Sequence, residues 1–253
     1  MSFPDFTRGY LGEVSTRLDA LAADSQGGVF DAAIDLMVET IEGGGVIQAF
    51  GTGHSEAFAM EIAGRAGGLI PTNKISLRDI VLRGSQSVDI LTGSSLERDP
   101  AVVDELFEIS TINPGDLFMI ASNSGVNGSI VGLALVAKSR GHKVIAVTSL
   151  EHTMRVEPKH PSGKRLSDIA DVVIDNRAPF GDATLELPGG VPVGAVSSIT
   201  AAFIAQLLTI GTARAISSTG KTPPLYISAN IPGGDDHNRA LEELYRDKIR
   251  RSA

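Results

Sequence analysis

The chain has 253 residues, with 22 Lys and Arg against 30 Asp and Glu, a formal net charge of −8. That balance argues against a nucleic-acid partner, because phosphate backbones reward clustered cations, and the absence of cysteine excludes disulfides and thiolate metal sites. A hydrophobic content of 42%, 28 glycines and no basic-then-apolar start in MSFPDFTRGYLGE lead us to expect a soluble, cytoplasmic globular protein with many tight turns.

Residues 5–24 carry Phe6, Tyr10, Leu11, Val14, Leu18 and Leu21 at helical spacing, which predicts an amphipathic helix. Asp24 to Gly28 breaks it, and a second helix is expected from Val29 to Glu42, ended by Gly43-Gly44-Gly45. The apolar run Val46, Ile47, Ala49, Phe50 then stops at Gly51-Thr52-Gly53-His54-Ser55, and helical spacing resumes with Ala59, Ile62, Ala63 and Ala66. A strand, a glycine turn and a helix start shape backbone to hold an anion, with N–H groups turned inward and the helix dipole behind them. No lysine follows the turn, so it is not a nucleotide P-loop, and Glu56 stands where G-x-G-x-x-G needs its third glycine.

Leu69-Ile70-Pro71 reads as a short strand that Pro71 places at an end or edge, and residues 72–99 as a cap or active-site loop with a short helix near Ile80. A helix is expected over Pro100 to Ile109, a turn at Asn113 to Asp116, and a buried strand at Leu117 to Ala121. That strand ends in Ser122-Asn123-Ser124-Gly125, and a helix starts near Asn127 or Gly128 and runs to Arg140. Val144 to Val147 is apolar throughout and ends in Thr148-Ser149. After a polar segment from Glu151 to Arg165, strands are expected near Asp171 to Asp175 and at Thr184 to Leu187. The apolar stretch from Ile199 to Ile216 is interrupted by Gln206, Gly211 and Arg214, so a buried helix over 197–217 is expected rather than a membrane span. Leu225 to Asn230 and a charged helix over 235–250 close the chain.

Helices alternating with strands that are apolar throughout imply an α/β fold, a three-layer αβα sandwich around a mainly parallel sheet of about five strands. The expected organisation is one domain over 1–253, with an N-terminal helical pair to residue 45, a core over 46–220 and a C-terminal segment after it. Ligands of such sheets collect beyond the carboxyl ends of the strands, and three strands here end in turns rich in hydroxyls and glycine: GTGHS, SNSG and TS. Their agreement points to a phosphate or sugar site.

These turns, together with ERDPAVVDEL, SGKRLSDIADVVIDN, FGDA and PPLYISANIPGGDDHN, resemble the sugar isomerase (SIS) domain family, in particular a bacterial branch of single-domain members, over nearly the whole chain. The resemblance implies a flavodoxin-like SIS fold that binds a phosphosugar. Its members include aldose–ketose isomerases, an ether-cleaving lyase and sugar-sensing regulators. Ser55, Ser122 and Ser124 would hold the phosphate, helped by Asn123 and by Thr148 or Ser149, with Gly51, Thr52, Gly53 and Asn127 completing the site. A homodimer or higher homo-oligomer is implied too.

Isomerisation needs a base that moves a proton between two carbons. Glu61 lies six residues after Ser55 among apolar neighbours that would raise its pKa, with an ion pair to Arg65 as the plainer role. Glu56 is the competing base, or an acid that complements the helix dipole. His54 in the glycine turn can serve ring opening, and His237 can reach a partner's site. His152 and His160 sit in the polar segment, either over a ligand or in solvent. No cofactor or metal is expected, since Asp235-Asp236-His237 has no second ligand cluster. The expected function is phosphosugar binding with aldose–ketose isomerisation, the alternatives being a phosphosugar lyase or a sensor without turnover.

Overall fold

The computed structural model describes residues 3–251. Helices α1 (Phe3–Gln26) and α2 (Asp31–Glu42) lead into β1 (Ile47–Gly51), followed by α3 (Glu56–Ile62) and β2 (Thr72–Ile75). The next segment holds α4 (Asp79–Leu82), α5 (Ser95–Arg98) and α6 (Val102–Ile109). Then come β3 (Leu117–Ala121), α7 (Gly128–Ser139), β4 (Lys143–Thr148), α8 (Leu150–Thr153) and β5 (Val172–Asp175). A hairpin of β6 (Ala183–Leu187) and β7 (Val191–Ala195) precedes α9 (Ser197–Ser218) and α10 (Gly234–Glu243).

The five main strands are parallel in the order β2-β1-β3-β4-β5. Alternate residues of each central strand point to opposite faces, and both faces are apolar. Ile47, Ala49, Leu117, Met119, Ile145 and Val147 meet α2, α3 and α9 on one side. Phe50, Phe118, Ile120, Val144 and Ala146 meet α6 and α7 on the other. That double burial explains why these strands read as continuous apolar runs. By length and composition α9 could cross a membrane, but 44% of its most apolar window is buried, and it packs on α1, α2 and α3 as a core helix does.

Four expected elements differ. The strand placed at Leu69–Pro71 lies at β2, Thr72–Ile75, while Leu69 forms an isolated antiparallel bridge with Leu225. Proline lacks the N–H that a ladder needs, whereas the polar β2 is stabilised by the C-terminal segment: Asn73 donates to the Lys248 carbonyl and accepts from the Arg250 N–H. The strand at Thr184–Leu187 exists as part of β6, but it pairs antiparallel with β7 outside the main sheet. Helix α3 stops at Ile62, short of Ala66, because Gly64 and Gly67 adopt left-handed φ of 77° and 80°. Finally, α10 ends at Glu243, and the chain from Leu244 on turns back along β2.

In this strand order the chain leaves β1 towards one edge and β3 towards the other. Gly51 pairs with Ala121 in register, so the two strands end level. A crevice must open between their outgoing turns, the place where flavodoxin-like sheets bind ligands.

Phe118 is fully buried and stacks on Phe107 with ring centroids 5.8 Å apart. Phe118→Ala is expected to lower unfolding free energy by about 3–5 kcal/mol in urea melts with the slope unchanged. A loss under about 1 kcal/mol would contradict this packing.

Candidate functional site

The turn after β1 is drawn very tight. Thr52 is extended, Gly53 takes φ 55°, and one 3₁₀ turn over Gly53–Ser55 leads into α3. A Cβ on Gly51 would stand 2.2 Å from the Ser55 carbonyl oxygen, so only glycine allows the chain to fold back this closely. The turn after β3 is closed by the Ser122 hydroxyl, which accepts from the Gly125 N–H at 3.1 Å. Asn123 is fixed in the same turn: its side-chain oxygen accepts from Asn176 at 3.1 Å and its carbonyl from the Ser149 N–H. The two turns face each other across a narrow cleft lined by His54, Ser55, Ser122, Asn123, Asn176, Ser197 and Ser198. At the third wall, Asp182 caps α9, accepting from the Ser197 N–H and hydroxyl at 2.8 and 2.7 Å. Its charge offsets the positive end of that helix.

On the other side of Gly51–Gly53 lies a cavity of about 520 Å³, lined by that turn, by Glu56, Ser76 and Arg78, and by Leu91, Gly93, Ser94, Leu96 and Glu97. Glu56 accepts from Lys74 at 3.1 Å, from the Ser76 hydroxyl at 3.0 Å and from Arg78 at 2.8 Å. Burial alone would raise its pKa, but the bonds and charges of Lys74, Ser76 and Arg78 together hold it below the ordinary 4.5. Glu56 is therefore ionised at neutral pH. Arg78 keeps its side chain 57% exposed at the cavity mouth. The segment carrying Glu97 docks on α7. Ser129 Oγ donates to the Glu97 carbonyl at 2.7 Å, and a Cβ on Gly128 would stand 2.1 Å from the Arg98 oxygen.

The residues expected from sequence distribute unevenly. His54, Ser55, Ser122 and Asn123 share the narrow cleft, and Gly51, Thr52 and Gly53 line the cavity. Ser124 is half-buried in the second turn, and Asn127 donates to Glu97 at 3.0 Å. Thr148 and Ser149 are fully buried behind that turn: the Thr148 hydroxyl donates to the Asn123 carbonyl, and the Ser149 hydroxyl donates to the Ala178 carbonyl. They brace the turn from inside. Glu61 is bonded to Arg65 and, at 3.0 Å, to Gln206 of α9, and it lines neither the cleft nor the cavity. His237 donates to the Leu225 carbonyl at 3.0 Å, next to the Leu69 bridge and hence at the amino rim of the sheet, opposite the turns. The polar segment is a brace as well: the Leu166 N–H and the Lys159 N–H bond to Gly125 and Val126, and His152 packs on Phe180, with burial pushing its pKa down.

Ser76, Arg78, Glu97, Asn176, Ser197 and Ser198 enter the site only with the structure. Ser76 was legible in principle, because it directly follows β2 at the carboxyl rim; placing that strand three residues early hid it. Glu97 opens the ERDPAVVDEL stretch and falls in the expected cap or active-site loop, but nothing in the sequence brings its carboxylate to Asn127.

A model of the SIS domain matches residues 9–149, which contain both turns. A UPF0309 protein of Listeria monocytogenes is 38% identical over 239 residues, 94% of each chain. Another from Geobacillus kaustophilus is 32% identical over 95% of this chain and 94% of its own. Among solved structures, an E. coli CFT073 protein determined as a complex matches with a TM-score of 0.53 at 15% identity, covering 97% of this chain and 100% of that one. The phosphoheptose isomerase of Neisseria gonorrhoeae matches with a TM-score of 0.50 at 17% identity, covering 86% and 100%.

A carboxylate held below its unfolded pKa stabilises the fold above that value, and the contribution disappears as pH falls through the lower folded one. Glu56→Gln is therefore expected to cost about 1 kcal/mol at pH 7, with the gap from wild type closing below about pH 4.5 in pH-dependent melts. A gap that widens on acidification would contradict the assigned bonds.

Proposed function

The chain belongs to the SIS domain family, and from that membership and the site's geometry we propose that it binds a phosphorylated sugar or amino sugar and interconverts its aldose and ketose forms. Two hydroxyl-bearing turns facing one cleft at the switch point, with Ser55 opposite Ser122 and Asn123, carry this assignment. A phosphate monoester offers three terminal oxygens, and Ser55, Ser122, Ser124, Asn123 and the turn amides supply neutral donors for them. The adjoining cavity of about 520 Å³ is in the range that small ligands occupy, and its polar wall suits sugar hydroxyls. The phosphoheptose isomerase among the structural neighbours supports a sugar phosphate as ligand and isomerisation as chemistry.

Isomerisation through an enediol carries one proton between C1 and C2. We assign that proton to Glu56, which faces the cavity and is ionised at neutral pH. Its bond to Arg78 is the one a bound phosphate can draw away, since that guanidinium is exposed. Glu61 would first have to leave both Arg65 and Gln206. His54, on the turn itself, is assigned to ring opening.

In a thermal-shift screen over hexose, pentose and N-acetylhexosamine phosphates, a ligand at a hundred times its dissociation constant is expected to add about 2.7 kcal/mol. Unphosphorylated sugars should add nothing, and equal shifts from the two sets would contradict the assignment. With the sugar phosphate found, Glu56→Gln is expected to lower kcat by about 10²–10⁴-fold with KM little changed, while Glu61→Gln keeps most of its turnover. The opposite ranking would return the proton to Glu61.

A further inference from the structure

The segment over residues 91–98, which covers the cavity as a cap, meets Asn127 and the Gly53 turn through a carboxylate. Glu97 Oε1 accepts from Asn127 Nδ2 at 3.0 Å, and Oε2 lies 3.4 Å from where a Cβ on Gly53 would stand. One oxygen touches the residue that opens α7 and the other lies against the glycine turn, on the side of the larger cavity. No cation pairs with Glu97 among the described residues. By contrast, Glu56 in the same cavity has Lys74 and Arg78.

Asn127 is drawn out of its ordinary role by this contact. Its backbone has N-cap angles, φ −68° and ψ 150°, yet its side chain makes no cap bond to α7. Instead Nδ2 is on Glu97, and Oδ1 is buried without a hydrogen-bond partner. An asparagine there ordinarily accepts from an amide of the first turn, and a buried acceptor left unpaired is costly. The docked backbone of the cap holds the arrangement in place, through the Ser129 bond to the Glu97 carbonyl and the close seat of Arg98 on Gly128.

We propose that Glu97 is an internal stand-in for the ligand's anion: its carboxylate takes the Asn127 amide and the space against Gly53, and a phosphate drawn to these groups must displace it and lift the Ser95–Arg98 helix from α7. This rests on the phosphate-binding assignment above. A dianion and a carboxylate repel and cannot share Asn127 and the Gly53 turn, so the cap's hold on α7 and ligand occupancy exclude each other. The intact protein therefore binds phosphate more weakly than its donors alone would allow, by the cost of moving Glu97 out.

The test uses inorganic phosphate as the probe, titrated into wild type, Glu97→Ala and Glu97→Gln by calorimetry. Both variants are expected to bind it about tenfold more tightly than wild type, alanine at least as tightly as glutamine. In wild type, phosphate should also speed hydrogen exchange of the cap amides over residues 91–98. Affinities equal to or below wild type in both variants would overturn the proposal, as would cap amides that become better protected on binding. If sugar phosphates still stabilise wild type in that case, only the stand-in role of Glu97 has failed. If no phosphate compound stabilises wild type either, the phosphate-binding assignment has failed with it.

Discussion

The site depends on the register between two neighbouring strands. Gly51 of β1 lies opposite Ala121 of β3, so both strands end at one level, while their continuations depart to α3 on one face and α7 on the other. Two turns released side by side from a rigid, doubly buried sheet face each other without any loop having to be long. The separation is then set by glycine: at Gly51 the Ser55 carbonyl sits where a Cβ would be, which brings the hydroxyl of Ser55 close to the sheet and opposite Ser122. Packing thus fixes the two turns relative to each other.

Charge is organised against the overall balance of the chain. The protein carries −8, and beside the first turn Lys74 and Arg78 surround Glu56 while Glu97 enters the same cavity, two positive charges against two negative. The pair of cations keeps Glu56 ionised. Glu97 is the counterweight, a carboxylate brought in by the cap with a neutral amide for its partner. The two acids differ in what surrounds them: two cations and a hydroxyl around Glu56, a neutral amide beside Glu97.

Much of this was legible in the residues. The all-apolar runs at Leu117–Ala121 and Val144–Val147 announce strands buried on both faces, and glycine with hydroxyls at their ends announces the turns. Apart from the early end of α3, set locally by Gly64 and Gly67, the differences come from contact between residues far apart in sequence. Strand β2 is polar because the chain near Lys248 to Arg250, about 175 residues on, covers its edge. Glu56 and Glu61 look alike on one short helix, and only Lys74, Ser76 and Arg78 on one side and Gln206 on the other tell them apart. Thr148 and Ser149 have the right chemistry at the right strand end, but the polar segment and Ala178 cover them, and their hydroxyls face inward. The hairpin β6–β7 lies outside the sheet for a reason no periodicity shows: it packs along α1, where Tyr10 donates to the Ala195 carbonyl.

If both turns grip one dianion, a double-mutant cycle on Ser55 and Ser122 will reveal the shared contact. Calorimetric affinities for one sugar phosphate would be measured in wild type, Ser55→Ala, Ser122→Ala and the double variant. Shared contact with a single phosphate predicts that each substitution weakens binding and that the two losses are coupled by about 0.5 kcal/mol or more. Losses that simply add, or a serine whose removal leaves affinity unchanged, would mean that the turns do not hold the same group.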